Sequence, residues 1–146
     1  MNKLPLFVYA FLCVLCAACS PESEQERAGK CAVSFCEAFY NLNYPLATGY
    51  VTSSSLPLLQ YYASNIRQEH LDAVRQSGPA TVSLIHTELE ENAREGRVVC
   101  RIQNVLEADF INGTYSFLTE IQDTLIVRHT EGTWQVRMDN LRRNGK

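Results

Sequence analysis

The stretch "TLIVRHTEGTWQVRM" (residues 124–138) predicts two β-strands and the turn that joins them. The Glu-Gly pair at 131–132 supplies the turn, and apolar residues alternate with polar ones on both sides of it. A two-residue turn there fixes three cross-strand pairs: His129 with Trp134, Val127 with Val136, and Leu125 with Met138. The alternation then predicts that Leu125 and Val127 face a buried core, since register is strongly specified where one face is buried.

A second turn gives an independent test of this register. Residues 112–113 are Asn-Gly, a strong signal for a two-residue hairpin, between "GRVVCRIQNVLEADF" and "TYSFLTEIQDTLIVRHT". That turn pairs Cys100 with Leu125 and Val98 with Val127. Both turns therefore place Leu125 and Val127 on the same apolar face.

Helical spacing of apolar residues precedes the strands. "KCAVSFCEAFYNL" predicts an amphipathic helix that ends near Tyr44, with four inward positions: Ala32, Phe35, Cys36 and Phe39. "PLATGYV" predicts a short helix or turn, and "SSSLPLLQYYASNIRQEHLDAVRQSG" predicts one long helix before Pro79. Helices followed by about four antiparallel strands indicate an α+β domain over residues 28–146, with the helices packed on one sheet face.

The segment "FCEAFYNLNYPLATGYVT" within this pattern resembles the nuclear transport factor 2-like, cystatin-like cone fold, in which N-terminal helices cover a curved antiparallel sheet. An aromatic pair like Phe39-Tyr40 ends the first helix of that fold, and small residues like those at 46–48 open the next. More narrowly, the chain is similar to lumazine-binding-like lipoproteins of Bacteroidota. The family includes ketosteroid isomerase, scytalone dehydratase and many non-catalytic binding domains, so the resemblance implies a fold and no single function.

The N-terminal segment predicts export and a lipid anchor. Lys3 precedes an apolar run of about 15 residues, shorter than a membrane-spanning helix and typical of a signal peptide. "CAAC" at 16–19 resembles a bacterial lipobox, which implies a signal peptide over 1–18, lipid on Cys19 and a flexible tether over 19–27. The alternative is an ordinary signal peptide that is cleaved without lipid attachment.

The residues around the lipobox bear on localisation. Cys16 stands where Leu is usual in the lipobox, and Ser20 is not the Asp that often retains lipoproteins at the inner membrane. By that resemblance we expect an outer-membrane lipoprotein, facing either the periplasm or the cell surface. The acidic run of Glu22, Glu24 and Glu26 resembles surface-export signals of some Bacteroidota lipoproteins, and it equally fits a solvated tether.

Composition excludes some functions. The chain has 13 Lys and Arg against 16 Asp and Glu, a net charge of −3, so a nucleic-acid partner is not expected. The three histidines are scattered without HxxxH spacing, which argues against a metal site, and no pattern suggests a cofactor.

Polar residues on the inner face of the strands are the candidate site, because an apolar pocket with a few inward polar groups is the usual binding site. The pocket candidates are Asp123, His129, Asn104, Tyr115 and Trp134. Asp123 could be a general base whose pKa is raised by burial, with His129 as its partner or as a proton donor. The alternatives are a strand-end carboxylate at Asp123 and a half-buried histidine beside Trp134.

A disulfide between the first helix and the sheet is a further prediction. Cys36 and Cys100 are both predicted to face inward, and they can bond if their Cα atoms lie within roughly 7 Å. Two buried thiols that act as small apolar groups are the alternative. Cys31 and Cys36 lie about 140° apart around one helix and should not bond each other.

Two functional hypotheses follow. The first is an envelope-tethered, non-enzymatic lipoprotein that binds a small apolar ligand, a peptide or a partner protein. The second is a small isomerase, dehydratase or hydrolase, which requires Asp123 and His129 within about 8 Å in a closed pocket. A homodimer through the outer sheet face, where Val99 and Ile126 are expected opposite one another, is a further expectation.

Overall fold

The structure is a computed structural model that describes residues 20–139. Its helices are α1 (Glu24–Tyr40), α2 (Tyr44–Ala47), α3 (Leu56–Asn65) and α4 (Gln68–Ser77), with 3-10 turns at Thr48–Tyr50 and Ser53–Ser55. Its strands are β1 (Thr81–Leu89), β2 (Glu95–Asp109), β3 (Thr114–Thr130) and β4 (Thr133–Arg137). The strands form one antiparallel sheet in the order β1-β2-β3-β4, with α1 packed across it, so the predicted α+β class is confirmed. None of the helices within residues 20–139 is long and apolar enough to span a membrane.

A capping box starts α1 earlier than the sequence suggested. The Ser23 side chain accepts a hydrogen bond from the Glu26 backbone N–H, and the Glu26 carboxylate accepts one from the Ser23 N–H. This reciprocal pair satisfies two N–H groups that a helix start leaves without partners. The prediction of a flexible tether through Arg27 is therefore wrong for residues 24–27, which are helical. The signal peptide and Cys19 lie outside the described residues.

Two predicted helix boundaries are also wrong. Helix α1 ends at Tyr40 rather than near Tyr44, because Leu42 adopts a left-handed φ of 61° and the chain reverses before α2. The long helix predicted before Pro79 is broken in two between α3 and α4. Ile66 and Arg67 are extended there, and the Arg67 N–H donates to His70 Nδ1 at 3.0 Å, which starts α4 afresh.

The register between β3 and β4 is confirmed. His129 pairs with Trp134 and Val127 pairs with Val136, around a turn at 131–132. Glu131 and Gly132 both have positive φ, as the favoured two-residue hairpin turn requires.

The loop between β2 and β3 differs from the prediction and shifts their register by two residues. It spans residues 110–113 instead of the Asn-Gly pair alone, so Cys100 pairs with Asp123 and Val98 pairs with Leu125. The cause is Asp109, whose carboxylate accepts hydrogen bonds from the N–H groups of the next residues and builds a wider turn. An even shift keeps residues 98–102 and 123–127 on their predicted faces, since strand side chains alternate with period two. The alternation of β2 changes at Asn104, whose φ is positive, so that Ile102 and Val105 are both buried.

The same shift changes the outer face. Val99 pairs with Thr124, and Ile126 pairs with Arg97, so the expected Val99–Ile126 pair is wrong. Both apolar side chains are half-buried among charged neighbours. A homodimer through this face stays a prediction.

Candidate functional site

The predicted pocket beneath α1 is occupied by core side chains. The inward residues of α1 and of the sheet belong to one buried cluster, which includes Phe35, Phe39, Val98, Leu125, Val127 and Trp134. The Phe35 and Phe39 rings stack with their centroids 5.3 Å apart, and Leu125 and Val127 are fully buried. The predicted packing is confirmed, and this part of the inner face is a close-packed core.

Asp123 lies at the edge of this core, where it contacts the end of α1. It is half-buried on β3, and the Tyr40 hydroxyl donates a hydrogen bond to its Oδ2 at 2.7 Å. The bond joins the last residue of α1 to the sheet. This hydrogen bond gives the Asp123 carboxylate a structural role.

His129 lies at the other end of β3, in a cluster with Glu24 and Trp134. Its ring packs on the Trp134 indole at a centroid distance of 5.0 Å, and its Nε2 is 3.9 Å from Glu24 Oε2. Trp134 Nε1 donates to the same oxygen at 2.7 Å, and Arg27 pairs with the other oxygen at 2.6 Å. The hydrogen bond from Trp134, followed by the charges of Arg27 and His129, holds the pKa of Glu24 below its usual value.

The structure does not bring Asp123 and His129 together. They lie six positions apart on one continuous strand, which separates them by about 20 Å at the rise of a β-strand. Each also contacts different neighbours, Tyr40 in one case and Trp134 in the other. The acid–base pair of the enzyme hypothesis therefore does not form in this structure.

The other two candidates lie toward the far end of the sheet. Asn104 adopts a left-handed φ of 59°, and its side chain donates to the carbonyls of Ser77 and Gly78, so it fixes the end of α4 to β2. Tyr115 is 43% exposed, and its ring meets His70 edge-on at 5.5 Å.

The cysteines on α1 occupy different environments. Cys36, together with Cys100 on β2, is fully buried in the core cluster, which is the placement that the disulfide hypothesis needs. The bond itself stays a prediction. Cys31 is half-buried near β4, its thiol donates to the Trp134 carbonyl at 3.1 Å, and burial raises its pKa to about 11.

We expect Cys31 to react slowly with alkylating agents. Only the thiolate is nucleophilic, so a pKa of about 11 makes alkylation at pH 8 roughly a hundredfold slower than for a thiol of pKa about 8.5. Peptide-resolved mass spectrometry of iodoacetamide labelling measures the rate, with the urea-unfolded chain as the control. Labelling of the folded and unfolded chains at equal rates would contradict the burial of this thiol.

A cleft lies where the junction between α3 and α4 meets the loop between β2 and β3. Its volume is about 140 Å³. Seven residues line it: Ser64, Asn65, Arg67, His70, Asp109, Phe110 and Gly113. None of them was a candidate from the sequence, because the helix break and the wider loop that form the cleft were not predicted.

His70 is the most unusual group in this cleft. It is 2% exposed, and its Nε2 has no hydrogen-bond partner among residues 20–139. Buried polar atoms are nearly always hydrogen-bonded, so such an atom calls for an explanation. The Phe110 ring lies edge-on to the imidazole at 6.4 Å, and Arg67 supplies the one cation of the lining.

No protein-family model matches the chain, and no curated protein sequence matches it. Solved structures of similar fold include three of low sequence identity. A candidate NTF2-like transpeptidase from Campylobacter jejuni has 9% identity and a TM-score of 0.49, over 74% of this chain and 94% of its own. A candidate dehydratase of the NTF2-like family from Streptomyces avermitilis has 16% identity and a TM-score of 0.48, over 80% of this chain and 93% of its own.

The third similar structure is the intermembrane-space region of the chloroplast protein ARC6, with 10% identity and a TM-score of 0.43 over 81% and 95% of the two chains. Two of the three are described as NTF2-like. At these identities the likeness concerns the fold, and it carries no argument about activity.

Proposed function

We propose that the chain is an envelope-tethered lipoprotein whose domain binds a small ligand, a peptide or a partner protein and does not catalyse a reaction. The observation that carries the proposal is the cleft at one end of the sheet. Arg67, His70 and Phe110 line it, and the exposed apolar side chains of Tyr61 and Ile111 lie on the elements that form it. Apolar side chains exposed near a concave site are typical of binding surfaces.

The position of α1 supports a tethered binding domain. Its first turn is fixed to β4 and to the turn before it, since Trp134 donates to Glu24 and Arg27 donates to the Gly132 carbonyl. The chain between Cys19 and Glu24 can reach at most about 17 Å. The cleft lies at the opposite end of β3, a strand of 17 residues that extends about 50 Å. A lipid on Cys19 would hold the helix start near the membrane and present the cleft away from it.

The non-enzymatic part of the proposal is supported by the separation of Asp123 from His129 and by the close packing beneath α1. Ser20 favours the outer membrane as the location. We also propose that the chain is related to the lumazine-binding-like lipoproteins of Bacteroidota.

We expect Cys19→Ala to abolish lipid attachment. Wild-type chain expressed in a Gram-negative host should incorporate labelled palmitate and fractionate with the outer membrane. The variant should remain an unlabelled precursor, because the sulfur that accepts the lipid is gone. Cys16→Ala is the matched control, and it should keep the label. The lipoprotein proposal would be wrong if the Cys19→Ala chain carried palmitate or still fractionated with the outer membrane.

A further inference from the structure

We propose that the cleft binds a carboxylate group, held by the Arg67 guanidinium and the His70 Nε2–H, with the apolar part of the ligand against Phe110. This inference rests on the proposed binding function and names the chemistry of its ligand. It applies to small acidic molecules with one carboxylate and a body about the size of an amino acid side chain, which a cleft of about 140 Å³ can hold.

The hydrogen bond on one side of the His70 ring defines the chemistry of the other. The Arg67 backbone N–H donates to Nδ1 at 3.0 Å, so Nδ1 is an acceptor and carries no proton. The ring proton is therefore on Nε2, which makes that nitrogen a donor. His70 is 2% exposed, and this donor has no hydrogen-bond acceptor among residues 20–139.

Arg67 adds a positive charge to the same place. Its Nη1 lies 3.8 Å from Glu69 Oε1, and His70 Nε2 lies 3.9 Å from that same oxygen. Both distances are too long for a hydrogen bond. Glu69 thus lies between the two donors without a hydrogen bond to either, and a ligand carboxylate that displaces it would accept from both.

The opposite wall of the cleft carries one carboxylate, that of Asp109, and its own loop engages both of its oxygens. The Asp109 carboxylate accepts hydrogen bonds from the Ile111 and Asn112 N–H groups and from the Asn112 side chain. These bonds hold its pKa below the usual value and keep it engaged in the loop. Arg67 Nη1 lies 3.5 Å from the point that a Cβ on Gly113 would occupy, so the guanidinium lies over this loop.

Phe110 is the one hydrocarbon side chain of the cleft lining, and it is where the apolar part of a ligand would pack. The Phe110 ring has edge contacts with Tyr61, Tyr62 and His70, at centroid distances of 6.2, 6.1 and 6.4 Å. Phe110 is the one of these aromatic side chains, apart from His70, that lines the cleft, and its contacts with the two tyrosine rings hold it in place. Aromatic walls with a few placed polar groups are the common design of small-molecule sites.

The test uses phenylacetate as the probe and phenylacetamide as its uncharged match, titrated into the full chain in detergent. Nitrogen-15 NMR of labelled histidine follows His70, and calorimetry gives the affinity. We expect saturable binding of phenylacetate with a shift of the His70 Nε2 resonance, and at least tenfold weaker binding of phenylacetamide, because a charged acceptor strengthens both hydrogen bonds.

Five variants separate the roles of the two donors. His70→Asn keeps an acceptor for the Arg67 N–H and removes the Nε2 donor, whereas His70→Gln places an amide donor near Nε2. We expect roughly tenfold weaker binding for His70→Asn and Arg67→Gln, with partial recovery for His70→Gln. Glu69→Gln should bind severalfold more tightly, because it removes a competing carboxylate. Arg75→Gln, on the exposed side of α4 and paired with Asp72, is the control and should match the wild type.

The proposal is overturned if phenylacetamide binds as tightly as phenylacetate, if His70→Asn and Arg67→Gln both bind as the wild type does, or if no saturable shift occurs. Amide spectra of each variant establish that it is folded. Anchoring is measured separately by the lipid on Cys19, so an empty cleft on a correctly anchored chain would overturn this inference alone.

Discussion

Trp134→Ala is expected to lower the free energy of unfolding by about 3–5 kcal/mol, the usual cost of deleting a large buried aromatic side chain. The indole is 4% exposed and belongs to the core cluster beneath α1. Its Nε1 also donates to Glu24, and its ring packs on His129, so the truncation releases the start of α1 from β4 as well. Urea unfolding followed by circular dichroism measures the loss, since the chain has one tryptophan and its fluorescence disappears in the variant.

Trp134→Phe separates packing from the hydrogen bond. It keeps an aromatic ring in the core and removes the Nε1 donor, so we expect a loss of only about 1–2 kcal/mol. If Trp134→Ala costs less than about 1 kcal/mol, the indole is not buried as described. The β3–β4 register would then be in error too.

The fold was predictable where a short turn fixes a register. The Glu-Gly turn at 131–132 allows one pairing for its strands, and the observed His129–Trp134 and Val127–Val136 pairs agree with it. The Asn-Gly signal at 112–113 failed because Asp109 offered the backbone N–H groups a competing acceptor. The assignment of Leu125 and Val127 to the buried face was still correct, since a shift of two residues does not invert the alternation of a strand.

The candidate site was much less predictable. The break between α3 and α4 contains no Gly or Pro that would predict it. It depends on the His70 side chain, which accepts a hydrogen bond from the Arg67 N–H. The cleft also joins residues 64–70 to residues 109–113, which only tertiary packing brings together. The spacing Arg-x-x-His in "NIRQEH" was the available signal, because a histidine three residues after the N-cap can accept a hydrogen bond from the N-cap N–H.

Gly96→Ala is expected to cost about 1–3 kcal/mol, although it adds a single methyl group. Gly96 is buried on β2 and pairs with Leu89 of β1. A Cβ on it would lie 2.5 Å from the Glu88 carbonyl oxygen and 2.6 Å from Leu89 Cδ2. The side chain can move, but the carbonyl belongs to the neighbouring strand, so β1 must shift away from β2. Hydrogen exchange should therefore show faster exchange in β1 than in the wild type, in addition to the lower unfolding free energy.

Gly49→Ala is the matched control, because the same methyl group would meet nothing within 4 Å and Gly49 has no positive φ. Alanine restricts the unfolded chain more than glycine does, so this variant should be neutral or more stable by up to about 1 kcal/mol. Opposite signs for the two substitutions would show that contact with β1, and not glycine content, decides the effect. Equal effects would mean that β1 does not approach Gly96 closely. The position of β1, the edge strand that contacts the start of α1, would then be wrong.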